Sequence, residues 1–277
     1  MILPGRYNTL KAVKYVDFGV YLDGGEMGEI LLPARYVPEV CEVGEDLEVF
    51  IYLDSEDRII ATTEKPFAQV GEFALLRVNA VNNVGAFLDW GLMKELLVPF
   101  REQKMDMVAG RSYLVYVYLD PDSKRIAASA KLEKFLDNVI PEYKVGEEVS
   151  LIIESESELG YNAIINHTHR GILYHDELPA PLNKGQQMKA FIKKVREDKK
   201  IDLSLYRPGY EQVDGISQMI LDRLKEAGGF LPFTDKSDAA EIFDHFAISK
   251  KVFKKAIGAL YRQRMILLEE KGIRLIS

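Results

Sequence analysis

Three groups of side chains in this 277-residue sequence have types and spacings that suit chemistry. The first is aromatic. Phe18 and Tyr21 flank Gly19, and Phe87 stands 66 positions after Tyr21. Exposed rings of this kind stack on nucleobases, at about 1–3 kcal/mol per base. Their alternative fate, the commoner one for an aromatic in a strand, is a place in a barrel wall. The second group is acidic: Asp54-Ser55-Glu56-Asp57 and Asp120-Pro121-Asp122. Paired carboxylates can hold the two metals of a nuclease. Each run, however, lies between two predicted strands and leads to a basic residue, Arg58 or Arg125, which makes a solvated turn the default. The third group is His167, His169 and His175. Two histidines two residues apart share a strand face, as zinc ligands must. No cysteine or suitably spaced carboxylate accompanies them, so a hairpin pair without metal is expected.

Catalysis has no other candidate. Cys41 is the only cysteine, so it forms neither an internal disulfide nor a Cys–His pair. There is no glycine loop with a lysine to cradle phosphate, and no GxSxG. The chain reads as a binding protein, not an enzyme, with no cofactor.

The elements that position these residues repeat. Phe18-Gly19-Val20-Tyr21-Leu22-Asp23 recurs as Val84-Gly85-Ala86-Phe87-Leu88-Asp89, Glu29–Pro33 as Glu95–Pro99, and Val49–Asp54 as Val115–Asp120, all at an offset of 66. A third, weaker copy follows at an offset of 75: Gly71 maps to Gly146, Gly85 to Gly160, Pro99 to Tyr174 and Gly110 to Gly185. A constant offset marks tandem units. Each unit has five short runs of strand character with a glycine embedded in one of them. That fits a five-stranded Greek-key barrel of the OB type better than a sandwich of about seven strands. Phe18 and Tyr21 are three apart, which sends them to opposite faces of a regular strand. A bulge at Gly19 is expected to bring them together.

After Leu203–Gly209 the hydrophobic period changes from two to about 3.6. Ile216, Ile220, Leu221 and Leu224 form a stripe ended by Gly228-Gly229. Ser237 or Asp238 caps a second helix carrying Ala240, Ile242, Phe243 and Phe246. Ser249 caps a third, with Val252, Phe253, Ala256, Ile257 and Leu260 facing inward. Met265–Ile276 reads as a hairpin. Three helices closed by a hairpin make a winged helix. The sequence therefore predicts a multidomain, mainly β protein: three tandem five-stranded OB barrels over 1–66, 67–137 and 138–208, then an α+β winged helix over 209–277.

Charge constrains the partner. The net charge is −7, and residues 1–66 alone hold 6 basic and 13 acidic side chains. A polyanion would be held by local basic patches and stacking, not by a global field. The third helix offers Lys250, Lys251, Lys254 and Lys255, either as a phosphate-contacting face or as an ordinary solvated one. Composition at 47% hydrophobic and 29% charged is that of a soluble globular protein. No apolar run reaches membrane-spanning length, and the sequence starts without a signal peptide, so a cytoplasmic location away from membranes is expected.

The repeat Val16-Asp17-Phe18-Gly19-Val20-Tyr21-Leu22, with Gly28–Pro33, Val43-Gly44-Glu45 and Asp54…Arg58-Ile59, resembles the S1-type RNA-binding domain. Three such domains before a winged helix resemble the conserved virulence factor B family of bacterial RNA-binding regulators, over essentially the whole chain. The resemblance implies single-stranded RNA as partner and regulation of gene expression after transcription. It implies contacts by Phe18, Tyr21, Asp54 and Arg58 in the first copy, and by Phe87, Asp120 and Arg125 in the second. In the third it implies Tyr174 and Lys200, since Leu159 and Asn162 replace the aromatics. Pro33 and Pro99 depart from the ring often found at the third place. The alternatives for the winged helix are duplex nucleic acid and a protein partner.

Overall fold

The computed structural model describes residues 2–178, 180–205 and 215–276. It comprises two compact units, one holding three barrels and one holding the helices. Within the first, β1 (Tyr7–Val16), β2 (Gly19–Asp23), β3 (Glu29–Pro33), β4 (Asp46–Leu53) and β5 (Ile59–Thr62) close a barrel in the order β1-β2-β3-β5-β4. The second barrel is β6 (Phe73–Val81), β7 (Gly85–Asp89), β8 (Leu96–Pro99), β9 (Ser112–Leu119) and β10 (Ile126–Ser129). The third is β11 (Glu148–Glu156), β12 (Gly160–Ile165), β13 (His169–Tyr174), β14 (Gln187–Val195) and β15 (Ile201–Ser204). In each, the third and fifth strands pair parallel and close the cylinder. The predicted OB-type architecture is present three times.

The repeated glycine has a steric cause. Gly19, Gly85 and Gly160 share φ values of 154°, 155° and 159°. A Cβ at each would lie 2.2, 2.2 and 2.0 Å from the carbonyl oxygen of Leu32, Val98 and Leu173. Only glycine lets the second and third strands approach this closely. The bulge expected at these glycines lies elsewhere. Register shifts fall on the facing strand, between Ala12 and Lys14, Val78 and Ala80, and Ile153 and Ser155. Phe18 reaches Tyr21 because it sits in the turn before β2, outside the ladder.

The barrels are joined through apolar cores. Phe50 and Tyr52 of β4 pack among buried residues of the second barrel, including Leu76, Leu88 and Trp90. The Phe50 and Trp90 ring centroids are 5.8 Å apart, edge to face. The Val70 N–H donates to the Gly5 carbonyl at 2.8 Å, and the Tyr7 N–H to the Gln69 side chain at 3.0 Å. Between the second and third barrels, Phe73, Leu114, Leu132 and Leu136 bury against Ile152 and Ile164.

His167 seals that second junction: its Nδ1 accepts the Phe73 backbone N–H at 2.9 Å, which requires the nitrogen to be unprotonated. Burial pushes its pKa below the ordinary 6.5, against a smaller upward pull from Glu72. Because the folded-state value is lowered, stability is full above about pH 6.5 and declines as pH falls towards the folded pKa. The urea midpoint should drop between about pH 7.5 and about pH 5.5, and His167→Gln should remove a measurable part of that drop. Identical pH slopes in the two proteins would refute this role.

The second unit contains α1 (Gly215–Glu226), β16 (Phe230–Leu231), α2 (Ala239–Phe246), α3 (Lys250–Arg262), β17 (Ile266–Glu269) and β18 (Gly272–Leu275). Asp238 caps α2 by accepting the Ala240 N–H, and Ser249 caps α3 by accepting that of Val252. Ile220, Leu224, Ile242, Phe246, Phe253, Leu260, Ile266 and Ile273 fill one core. The strands order as β16-β18-β17, completing the predicted winged helix. One inward assignment fails: Val252 is exposed, on the solvent side of α3. The joint expected within Leu203–Gly209 falls partly on residues 206–209, outside the described residues.

Candidate nucleic-acid interface

In the first barrel, β2 and β3 present an outward face on which Tyr21 lies opposite Leu31, with Lys14 of β1 on its other side. Phe18 is 57% exposed, and its ring meets Tyr21 edge to face at 6.3 Å. The Lys14 ammonium stands 4.9 Å from the Tyr21 ring centroid and 2.6 Å from a Glu29 oxygen. Two rings and a cation therefore share one open face. Pro33 fills the third place, opposite Gly19.

The carboxylates of the first two barrels serve their own turns. Asp54 Oδ1 accepts the N–H groups of Glu56 and Arg58 at 2.8 and 3.0 Å, and Oδ2 accepts from Arg58 Nε at 2.8 Å. Burial works to raise its pKa, but these hydrogen bonds outweigh it and hold the carboxyl below the ordinary range. Asp120 is buried. The Ser123 N–H, then that of Asp122 and the Ser123 hydroxyl, lower its pKa in the same way.

The second copy does not reproduce the Asp54–Arg58 pairing. Asp120 pairs with Arg101 at 2.9 Å, and Arg125 reaches across to Asp57 in the first barrel's β4–β5 turn. Lys94 joins them, 3.9 Å from Asp57 and donating to the Asp54 carbonyl. Phe87 is half-buried beside this junction, at the wall of a cleft of about 250 Å³ that Tyr52, Trp90 and Pro99 also line. Val84, at the other aromatic place, is 50% exposed. Sequence reasoning missed Arg101, although Arg35 sits at the same distance after Pro33 in the first copy.

In the third barrel Tyr174 ends β13. Its hydroxyl donates to Asp202 at 3.1 Å, and Arg196 holds both that hydroxyl and, bidentately, the Asp202 carboxylate at 2.7 and 2.9 Å. Burial, then the Asp202 hydrogen bond, raises the Tyr174 pKa. Lys193 lies 6.0 Å from the Tyr174 ring centre, and Lys200 is exposed beside Asp198. Arg196 and Asp202 stand where the second copy has Pro121 and Ala127, so comparison of repeats gave no signal for them.

The three histidines do not converge. His167 belongs to the barrel junction. His169 bonds Tyr143 and the Val139 carbonyl, and His175 lies against the Ser157 carbonyl. Among the described residues, no group of three or more His, Cys, Asp or Glu side chains could hold a metal ion.

On α3, Lys250, Lys251, Lys254 and Lys255 recur at helical spacing on one side, with exposed Val252 beyond its edge. Lys254 lies 3.5 Å from Asp235, and Lys250 donates to the Lys236 carbonyl at 3.3 Å. The wing residue Glu269, which would repel phosphate, is bound by Arg274. No described helix is long and apolar enough to cross a membrane.

Comparison with known proteins agrees with this architecture. The S1 domain family model matches residues 4–64, and the CvfB-like winged helix domain matches residues 218–275. The Bacillus subtilis protein YitL, described as uncharacterized, is 26% identical over 273 residues, covering 96% of this chain and 91% of that one. Conserved virulence factor B of Staphylococcus epidermidis is 27% identical over 241 residues, covering 84% and 81%. A crystal structure of a multidomain protein with nucleic acid binding domains, from Streptococcus pneumoniae TIGR4, aligns with 99% of this chain and 98% of that one. Its sequence identity is 24% and its TM-score 0.40. Neither matching domain model describes an enzyme. With a domain model matched near each end and relatives aligned along most of its length, the chain is similar to conserved virulence factor B and to YitL, at 26–27% identity.

Proposed function

We propose that the protein binds single-stranded RNA through its barrels, without catalysis, and that it acts on gene expression after transcription in the cytoplasm. The observation that carries this reading is the exposed Phe18–Tyr21 pair, with the Lys14 cation over one ring, on the barrel that matches the S1 domain. Stacking tolerates any base, and its platform is most nearly complete in the first barrel. That barrel is also the acidic one, so long-range attraction falls to cations elsewhere. Lys193, Lys194, Lys199 and Lys200 supply them in the third barrel, and the four α3 lysines in the winged helix.

A second reading, duplex DNA binding led by the winged helix, is favoured by that α3 lysine face. Fluorescence anisotropy with an oligoribonucleotide of about 16 nucleotides, the upper site size of one OB fold, and with a DNA duplex separates the two. Tighter binding of the single strand is expected. Replacing the four α3 lysines by glutamine should weaken it for every sequence and flatten its salt dependence by about 0.7 log units per lost phosphate contact. Preference for the duplex, abolished by the same variant, would overturn the RNA reading.

A further inference from the structure

Every described strand before α1 closes into a barrel, and a closed barrel has no edge. Among the described residues, open strand edges therefore occur only in the winged-helix sheet, ordered β16-β18-β17. One edge strand, β16, is two residues long, and shortness protects an edge from pairing. The other, β17, lacks such protection. Its residues Ile266-Leu267-Leu268-Glu269 include no lysine or proline, and its register with β18 runs without a bulge. Leu267 and Leu268 are each 46% exposed there.

The ladder fixes which backbone groups face outward. The Ile276 N–H donates to the Met265 carbonyl at 3.0 Å, one step beyond the Ile266–Leu275 pair. Hydrogen-bonded pairs alternate along an antiparallel ladder, so Leu267 and Glu269 bond to β18. Ile266 and Leu268 then turn their N–H and C=O groups to the open edge. The side chains divide the other way. Ile266 is buried in the core, whereas Leu267 stands opposite Arg274 on the outer face, where that guanidinium lies 4.9 Å from the Phe230 ring centre. The edge also has a basic end and an acidic one. Arg264 precedes β17 and Glu270 follows it, each three positions from Leu267, and both are exposed.

We propose that β17 is a self-association edge: two copies of the chain pair their β17 strands antiparallel about a two-fold axis at Leu267, joining two three-stranded sheets into one. The occupant is a second copy because the edge is complementary to its own sequence reversed about Leu267. In that register Ile266 of each copy faces Leu268 of the other, and their outward N–H and C=O groups exchange hydrogen bonds. Leu267 meets its counterpart at the non-hydrogen-bonded position, where side chains approach most closely. At each end Arg264 of one copy comes within reach of Glu270 of the other, so the charges match twice. The proposal does not depend on what the barrels bind.

The test is sedimentation equilibrium of the full chain between about 1 and about 100 µM, the range in which a micromolar contact is visible. The mass of the wild-type protein should rise with concentration from one chain towards two. Leu268→Pro removes an outward N–H and leaves the β17–β18 ladder its own bonds, so this variant should stay at one chain. Glu270→Arg sets two like-charged pairs across the axis and should weaken association at least about fivefold. Adding Arg264→Glu to it should restore the wild-type dissociation constant. Thermal melts establish that each variant folds; if Leu268→Pro does not, the charge variants decide alone. A wild-type mass of one chain throughout overturns the proposal. So does wild-type association in folded Leu268→Pro or Glu270→Arg, or failure of the double variant to recover.

Discussion

Replacing Phe18 and Tyr21 together with alanine is expected to weaken oligoribonucleotide binding at least tenfold while leaving the fold in place. Each stacked base contributes about 1–3 kcal/mol, and 1.4 kcal/mol is a factor of ten in affinity. The loss should appear with every base, because a ring face does not distinguish them. Stability should change little, since Phe18 is mostly in solvent and Tyr21 only half-buried. The edge-to-face contact between them accounts for about 0.5–1.5 kcal/mol of fold stability. Adding Phe87→Ala should deepen the binding defect. Titration by anisotropy alongside a thermal melt decides the matter: a variant that unfolds would show these rings to be core, and unchanged affinity would remove the stacking face from the function.

Phe50→Ala should produce the largest stability change, about 3–5 kcal/mol, because it empties a fully enclosed site. The consequence is not confined to the first barrel. Phe50 packs among second-barrel residues, and Trp90, the single tryptophan, lies against it. Wild-type denaturation followed by Trp90 fluorescence should therefore coincide with unfolding of the first two barrels followed by circular dichroism. In the variant the two signals should separate, since the shared core that couples the barrels is gone. Coincident transitions at an unchanged midpoint would show that the junction carries little of the stability.

The repeat made the barrels legible because it preserves what a small cylinder cannot vary. The glycine at 19, 85 and 160 is fixed by a carbonyl about 2 Å from where its Cβ would lie. The alternating apolar strands follow from one buried face. The winged helix was legible from caps and helical spacing, apart from Val252. The junctions were not. Val49, Phe50, Ile51 and Tyr52 are all buried, two facing their own barrel and two the next, and a run buried on both sides loses the alternation that marks inside from outside. That unbroken apolar run was the available signal. Pairings between barrels, Arg125 with Asp57 and His167 with Phe73, join residues that no repeat aligns. The Phe18–Tyr21 contact was expected, but from a bulge that lies on the neighbouring strand.

The Asp57–Arg125 pair changes what a phosphate gains on the second barrel. A phosphate arriving there meets a guanidinium already balanced by a carboxylate from the adjacent barrel, with Lys94 on the other side of the same acid. Docking at Arg125 is then an exchange of anions, and its yield is the difference between two ion pairs of similar kind. On the proposed single-strand reading, Asp57 of the first barrel stands in for a phosphate at Arg125, so a strand anchored on both flanks is expected to displace it and a weakly held one to pass over it. The proposed reading therefore expects a length threshold for binding, set by one aspartate.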